Sequence, residues 1–389
     1  DGTVGCPALL VEPSASNLAF HSSDWTSNWG AGTASGTTVV TNSAISLAPD
    51  GTATANEIYP TSGNTNHVRT SNSTTAVTYV SGNVYTQSAF FKAGIGVGIQ
   101  VQFHNPAARF SQSGYANFDL IAGTVLVVSG TTADTNRAAR IENYGNGWYR
   151  CSFAATCTSN GTGLGLAVGL INASGDTRSP SFSGTVTDYL LGWGAQLEVA
   201  FARTSYIPTT TGSVTRNADV ISVSGAVSGS IGQTQGTIYA EVDVRNWANP
   251  GRIFSISDGT SNNRIMTLFN SSNRFRVIVD VSGSSAQADI SSASLSNGIH
   301  KIAVGYAAND VVFYVDGVLV GSDNTANIPA CSQVFLGKIE AAGSTLFMND
   351  RILAAALYTT RLTNTQLALL TSPYTSYSSM ASALSYTLG

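Results

Sequence analysis

Charge, cysteine and long apolar runs are all scarce in this chain of 389 residues. Charged residues make up only 10% of it, and 18 Lys and Arg against 22 Asp and Glu leave a net charge of −4. That balance provides no basic stripe for nucleic acid or for an anionic membrane surface. No run of 18 apolar residues is present, so no membrane-spanning helix is expected, and no signal peptide is read from the opening residues. The four cysteines, Cys6, Cys151, Cys157 and Cys331, are too few and too scattered for a disulfide framework. Cys151 and Cys157 fall on one predicted strand, about 20 Å apart at some 3.3 Å per residue, beyond the reach of a bridge. Free thiols suit folding in a reducing cytoplasm.

Catalytic signatures are missing too. The chain has no Gly-x-Ser-x-Gly elbow, no His-Glu-x-x-His and no Cys-x-x-Cys. Its four histidines, His21, His67, His104 and His300, are far apart in sequence. One strand, Glu241-Val-Asp-Val-Arg-Asn246, begins like the alternating carboxylates of a glycosidase, which sit on one face as nucleophile and acid/base. Arg245 and Asn246 stand where a further Glu would be needed, so the pattern reads as a solvated outer face. No Asp-x-Asp-x-Asp calcium loop occurs, and Asp50, Asp258 and Asp316 each precede Gly in a turn.

What is present is β pattern. Thr, Val, Ser and Gly are abundant, and 9% aromatics supply cores for two domains of ordinary size. In the first half, strands are expected over Ile45–Ala48, Thr52–Tyr59, His67–Asn72, Tyr85–Lys92, Ile95–Phe103, Tyr115–Leu120, Val125–Val128, Trp148–Ala155, Leu164–Ile171 and Tyr189–Glu198. Turn residues separate them, as in an antiparallel two-sheet sandwich. In the second half, Thr237–Val244 and Arg274–Val281 alternate strictly. Val311–Val315 and Val318–Val320 form a hairpin through Asp316-Gly317. Thr363-Asn-Thr-Gln366 is a capping box opening a short helix over Leu367–Leu370, with one further helical turn allowed near Met380–Leu384. Pro7 and Pro13 exclude a central strand from the first 18 residues.

Three stretches resemble a known cassette: Trp193-Gly-Ala-Gln-Leu-Glu198, then Thr204-Ser-Tyr-Ile-Pro-Thr209, then Val214-Thr-Arg-Asn-Ala-Asp-Val220. Tyr115-Ala-Asn-Phe-Asp-Leu120, Gly145-Asn-Gly-Trp-Tyr-Arg-Cys151 and Ala8-Leu-Leu-Val-Glu-Pro13 support the match. Together they resemble the fibre and adhesin proteins of tailed bacteriophages. The resemblance implies an all-β chain: a jelly-roll module similar to carbohydrate-binding modules, then a concanavalin A-like (laminin G-like) module announced by Tyr314-Val-Asp-Gly-Val-Leu-Val-Gly321. The expected organisation is an entry arm at 1–18, the jelly-roll module at 19–207, a linker at 208–218, the concanavalin A-like module at 219–371 and a tail at 372–389. In the family the entry segment follows further sequence, so Asp1 is not expected to be the true start.

The expectation for function is a non-enzymatic virion surface protein, made in the host cytoplasm, that recognises host-surface or environmental glycans. Other virion proteins are its expected partners, and the resemblance implies a homotrimer. The alternatives are a capsid-decoration or fibre-building protein without a glycan ligand and, last, a polysaccharide-degrading enzyme. No cofactor is expected beyond the structural calcium ion that the resemblance allows in the first module. Sugar binding needs an aromatic ring and short polar side chains. Trp247, in a polar loop after a strand, is the first candidate; Tyr115, with Arg109 and Gln112 before it, is the second. Trp25, Trp29, Trp148 and Trp193 are expected to pack cores or sheet edges.

Overall fold

A computed structural model describes residues 8–31, 36–72, 74–94, 98–103, 109–110, 114–130, 136–185, 187–224, 229–245, 247, 250–339 and 346–373. The chain is nearly all β and divides into two compact units. Among the described residues, one comprises 14–217 and the other 8–13 together with 218–373. The first unit is therefore inserted in the sequence of the second, and the segment expected as an entry arm is shared between them.

The first unit is a sandwich of two six-stranded antiparallel sheets. One sheet runs, in spatial order, Ala138–Gly145, Trp148–Thr156, Val84–Ala93, Leu190–Val199, Asn56–Pro60 and Thr37–Val40. The other runs Thr124–Ser129, Tyr115–Asp119, Gly98–Phe103, Leu166–Ile171, Val68–Ser71 and Trp29–Ala31. Alternation places Tyr85, Ala89, Phe91, Phe153 and Leu197 of the first sheet in one core with Ile99, Val101, Phe118, Val168 and Leu170 of the second. Trp25 and Trp29 lie in the same core, with rings stacked 4.5 Å apart. Val84–Ala93 is buried on both faces through Phe91 because loops cover the outside of its sheet. The Asn146-Gly147 hairpin forms as its residues demand, both at positive φ.

Ile45–Ala48 is a loop, contrary to its apolar alternation. Ile45 and Leu47 are 51% and 58% exposed, so the alternation buries neither side chain. Local bonds hold the loop instead: the Ile45 amide donates to Ser43 Oγ and the Ala48 amide to the Thr52 carbonyl.

The second unit is also a sandwich. Its first sheet is Leu9–Leu10, Arg351–Tyr358, Gln235–Val244, Gly298–Ala307, Asp310–Val315 and Val318–Asp323. Its second is Ser222–Ser224, Gln333–Leu336, Gly251–Ser257, Arg264–Asn270, Arg274–Val281 and Ser284–Ser291. Leu9–Leu10 is an edge strand, in keeping with its flanking prolines. Val11 then enters the core fully buried, and a side chain at Gly337 would overlap it. The Glu12 amide donates to Asp219 Oδ2 and the Asp219 amide to the Glu12 carbonyl, closing the segment onto the stretch that re-enters this unit.

The helix Asn364–Thr371 has the expected capping box: Thr363 Oγ1 accepts from the Gln366 amide, and Gln366 Oε1 from the Thr363 amide. Leu367 packs on Ala303, Val312 and Tyr314. Asp316 and Gly317, both at positive φ, make the expected two-residue turn. The fold class is thus two antiparallel sandwiches with one short helix near the C-terminus. The turn expected near Met380–Leu384 lies outside the described residues.

Candidate functional site

The cassette residues build scaffold. Gly194 at positive φ carries a bulge in Leu190–Val199, between Trp193 and Gln196. Beyond that strand the chain crosses the outer face of the sheet, where three side chains hold it. Gln196 Oε1 accepts from the Ile207 amide. Glu198 accepts from the Thr204 amide and hydroxyl. Arg150 donates to the Thr204 carbonyl and to Ser88 Oγ. Burial pushes the Glu198 carboxyl up, against the hydrogen bonds from Gln196 and Thr204 and the charge of Arg150. Asn17, from the opening of the module, donates to the carbonyls of Ala195 and Ile207. Trp148 and Trp193 pack with Phe90 on this same face, as expected.

The structure does not assemble the sugar-binding candidates read from the sequence. Trp247 is a correction: it is 4% exposed, not presented to solvent. Its ring lies edge-on to Phe269 and Phe275, at 5.6 and 5.1 Å, and closes one end of the second core. Polar neighbours in sequence suggested a surface loop, but the ring continues the inward row of Val242 and Val244. Tyr115 begins its expected strand, opposite Gln102, and is only 7% exposed, so its ring is not presented to a ligand. Arg109 is half-buried; its carbonyl accepts from the Thr158 amide, and its guanidinium lies where a side chain at Gly161 would go. Gln112 lies outside the described residues.

His67 is buried, with its ring nitrogens against the carbonyls of Gly36 and Phe182. His300 packs on Phe275 and sits between two acceptors, Asp316 Oδ2 at 2.7 Å and the Ser296 carbonyl at 2.9 Å. Both ring nitrogens can donate only in the imidazolium. Burial alone would lower the His300 pKa, but the bonds to Asp316 and Ser296 outweigh it and hold it above the usual 6.5. A raised folded value means that this stabilisation is complete below pH 6.5 and is lost as pH rises through the folded value. The melting temperature of the second unit is accordingly expected to fall across that window. His300→Gln should flatten the dependence, as read by calorimetry at a series of pH values.

Glu241 and Asp243 share one outer face, where Asp243 pairs with Arg245 and Tyr239 donates to Glu241 at 3.4 Å. Asp50 and Asp258 spend oxygens on their own turns, accepting from Thr52 and from Thr260 and Asn263. Among the described residues, no group of three or more His, Cys, Asp or Glu is gathered that could hold a metal ion.

Two outer faces of the first unit carry sugar-like chemistry, one closed and one covered over its centre. On the closed face, Gln100, Gln102 and Asn117 project from the sheet that bears Tyr115, but residues 172–182 lie across them. Gln100 Nε2 donates to the Thr177 carbonyl, Asn117 Nδ2 to that of Asp176, and Gln102 Nε2 to Ser179 Oγ. The Ser179 amide donates back to Gln100 Oε1, and Ser181–Phe182 pairs with Thr65–Asn66. The chain's own backbone thus occupies these amides.

The second face is on the other sheet, where the loop carrying Ser43 and Ser46 lies across buried Leu191 and leaves Tyr59 and Tyr189 half-buried beside it. Leu191 lies opposite Lys92 on one side and Glu57 on the other, so these three share a row, with Val40 beyond Glu57. In the next row, by the same register, Gly94, Tyr189, Tyr59 and Thr38 stand side by side. A side chain at Gly94 would overlap the Tyr189 ring, so its absence lets that ring lean over. The rings of Tyr59 and Tyr189 are 5.7 Å apart, tilted by 42°, and half-buried. Glu57 accepts from Ser43 Oγ on one oxygen and from Tyr59 OH, at 2.6 Å, on the other. That bond and burial hold the Tyr59 phenol up, at about 12. Lys92 donates to Ser46 Oγ. The exposed Ile45 and Leu47 belong to the loop that carries Ser43 and Ser46. Sequence reading missed this row because its members come from four strands, and only the register brings them together.

Residues 215–368 match the family described as Laminin_G_3, the concanavalin A-like lectin/glucanases superfamily. No curated protein sequence matches the chain. Among solved structures, the carbohydrate-binding module CBM40 of Ruminococcus gnavus IT-sialidase, bound to α2,3-sialyllactose, is 14% identical. The match covers 40% of this chain and 96% of that one at a TM-score of 0.34. The leech intramolecular trans-sialidase is 16% identical over 40% of this chain and 26% of its own, with a TM-score of 0.34. A Limulus polyphemus pentraxin is 18% identical over 35% and 68%, with a TM-score of 0.28. Residues 215–368, the greater part of the second unit, are thus similar to a concanavalin A-like, laminin G-like module.

Proposed function

We propose that this protein binds glycans at the surface of a bacteriophage particle, as a fibre or adhesin, without covalent chemistry. The observation that carries the reading is the pair of half-buried rings, Tyr59 and Tyr189, with half-buried Lys92 on the same outer face. It combines half-buried rings and an ammonium group in one surface, chemistry suited to a sugar. Glu241 and Asp243, the nearest approach to a hydrolytic pair, are engaged with Tyr239 and Arg245. The cassette shared with phage fibre proteins supports the virion location and a trimer. A glycan array probed with the full chain tests the reading. Saturable binding to at least one host-surface glycan is expected, and binding to none would overturn it.

A second reading, a building block that packs against copies of itself, is favoured by one observation. The edge strand Val318–Asp323 leaves Val318 66% exposed, with Leu319 also exposed beside it. Light scattering of Val318→Lys against the unaltered chain tests it: loss of the oligomer favours this strand as the contact.

A further inference from the structure

We infer that His300 is a pH-operated latch: its protonated ring holds the connection of residues 292–297 against one end of the second core, and its neutral ring releases that connection. The latch is independent of the glycan reading. Three features argue for it.

The first is how the connection is held. It joins Ser284–Ser291 to Gly298–Ala307. At its start the Ser292 amide donates to the Phe275 carbonyl, and Ser292 Oγ accepts from the Phe275 amide. The Leu295 amide donates to the Asn273 carbonyl, and half-buried Leu295 packs on the core. Ser296 and Asn297 are exposed, and among the described residues the bond between His300 Nε2 and the Ser296 carbonyl is what ties them down. Gly298 follows at positive φ, with open space where a side chain would stand, and can serve as the hinge.

The second is the choice the ring faces on losing a proton. The imidazolium donates from both nitrogens, to Asp316 Oδ2 and to the Ser296 carbonyl. The neutral ring keeps one N–H, and the carboxylate is the stronger acceptor. The remaining proton therefore stays on Nδ1, and the Nε2 lone pair faces the Ser296 carbonyl 2.9 Å away. Two acceptors at that distance repel, and the carbonyl of exposed Ser296 is free to turn to water.

The third is that the other partner of the ring is fixed without it. Asp316 Oδ1 accepts from the Lys301 amide, and the Asp316 amide donates to the Lys301 carbonyl. The Gly317 amide donates to Thr371 Oγ1, and Lys301 Nζ to the Ser372 carbonyl. The turn stays, and the connection is the part that moves.

Other charges around the ring are offset or turned away. Asp243, on the adjacent strand, pairs with Arg245. Phe275 and Trp247 lie against the ring. Beside Phe275, Arg274 is exposed and Arg276 pairs with Asp289. The connection itself carries no charged side chain.

The test is amide hydrogen exchange on the full chain over about pH 5–9, corrected for the intrinsic effect of pH, with NMR of the His300 ring nitrogens in the same buffers. The Leu295 amide is expected to exchange about tenfold faster once the ring is neutral, the size of one bond to a charged group. The amides of Asp316 and Gly317 should keep their protection, and the neutral ring should carry its proton on Nδ1. His300→Gln should remove the step at Leu295. Asp316→Asn, which keeps a residue suited to positive φ, should lower the His300 pKa and move the step to lower pH. It keeps the test decisive if His300→Gln fails to fold. A ring that does not titrate over that range, or a Leu295 amide that ignores its titration, would overturn the latch. So would a step that survives in His300→Gln, one left unmoved by Asp316→Asn, or loss of protection at Asp316 and Gly317 instead of at Leu295.

Discussion

Val11→Asp is expected to unfold the second unit while the first unit keeps its own transition. Val11 is fully buried in the core of the second unit, although residues 14–217 of the first unit follow it in the chain. Its side chain fills the space over Gly337, and its carbonyl accepts from the Asn349 amide. A carboxylate there would lose about 1.5–3 kcal/mol of burial and add the larger cost of an unpaired buried charge. Set against a typical stability of about 5–15 kcal/mol, that sum removes most of the fold. Val11→Ala should cost less and lower the second transition without abolishing it. A chain beginning at Ala218 lacks both Leu9–Leu10 and Val11, and should melt well below the same unit within the full chain. Calorimetry that resolves the two transitions makes the comparison. An unmoved second transition in Val11→Asp would show that this segment is dispensable.

Arg150→Met should have the largest single effect on the first unit. Arg150 is buried, its guanidinium 5.0 Å over the Phe90 ring, and it ties the Thr204 carbonyl to Ser88. Removing it leaves that carbonyl only the longer bond from Gln196, at 3.4 Å, and leaves the buried Glu198 carboxyl without the nearby positive charge. Breaking a buried charge arrangement on one side costs about 3–5 kcal/mol, equivalent to a melting temperature lower by roughly 10 °C for a unit of this size. Glu198→Gln combined with Arg150→Met should cost less than the sum of the two changes, because they act through the shared Thr204 contact. Urea unfolding followed by tryptophan fluorescence reads both. Strict additivity would show that the two side chains stabilise the chain independently.

The sandwiches were legible in the sequence because alternation has a period of two and each turn needs particular residues. Asp316-Gly317, Asn146-Gly147 and the Thr363 capping box all sit where their chemistry places them. Ile45–Ala48 misled because alternation marks a strand only if one face is covered, and here Ile45 and Leu47 face solvent. Trp247 misled for the opposite reason: polar neighbours do not stop one large ring from turning under a sheet. The share of residues 8–13 in the second unit depends on a pairing with Ile352 and Arg351, far away in the chain, for which no local pattern exists. The same holds for the row around Leu191, since Glu57, Lys92 and Tyr189 become neighbours only through strand register. Gln100, Gln102 and Asn117 lie on expected strands, and only the path of residues 172–182 shows their amides occupied.

The central claim is recognition of a glycan without cleavage, and it is tested most directly by incubating the full chain with host-surface polysaccharide. Bound protein and the polymer's reducing ends are then measured in the same sample. The account predicts saturable binding with no new reducing ends. Failure to bind, or a steady release of reducing ends, would contradict it.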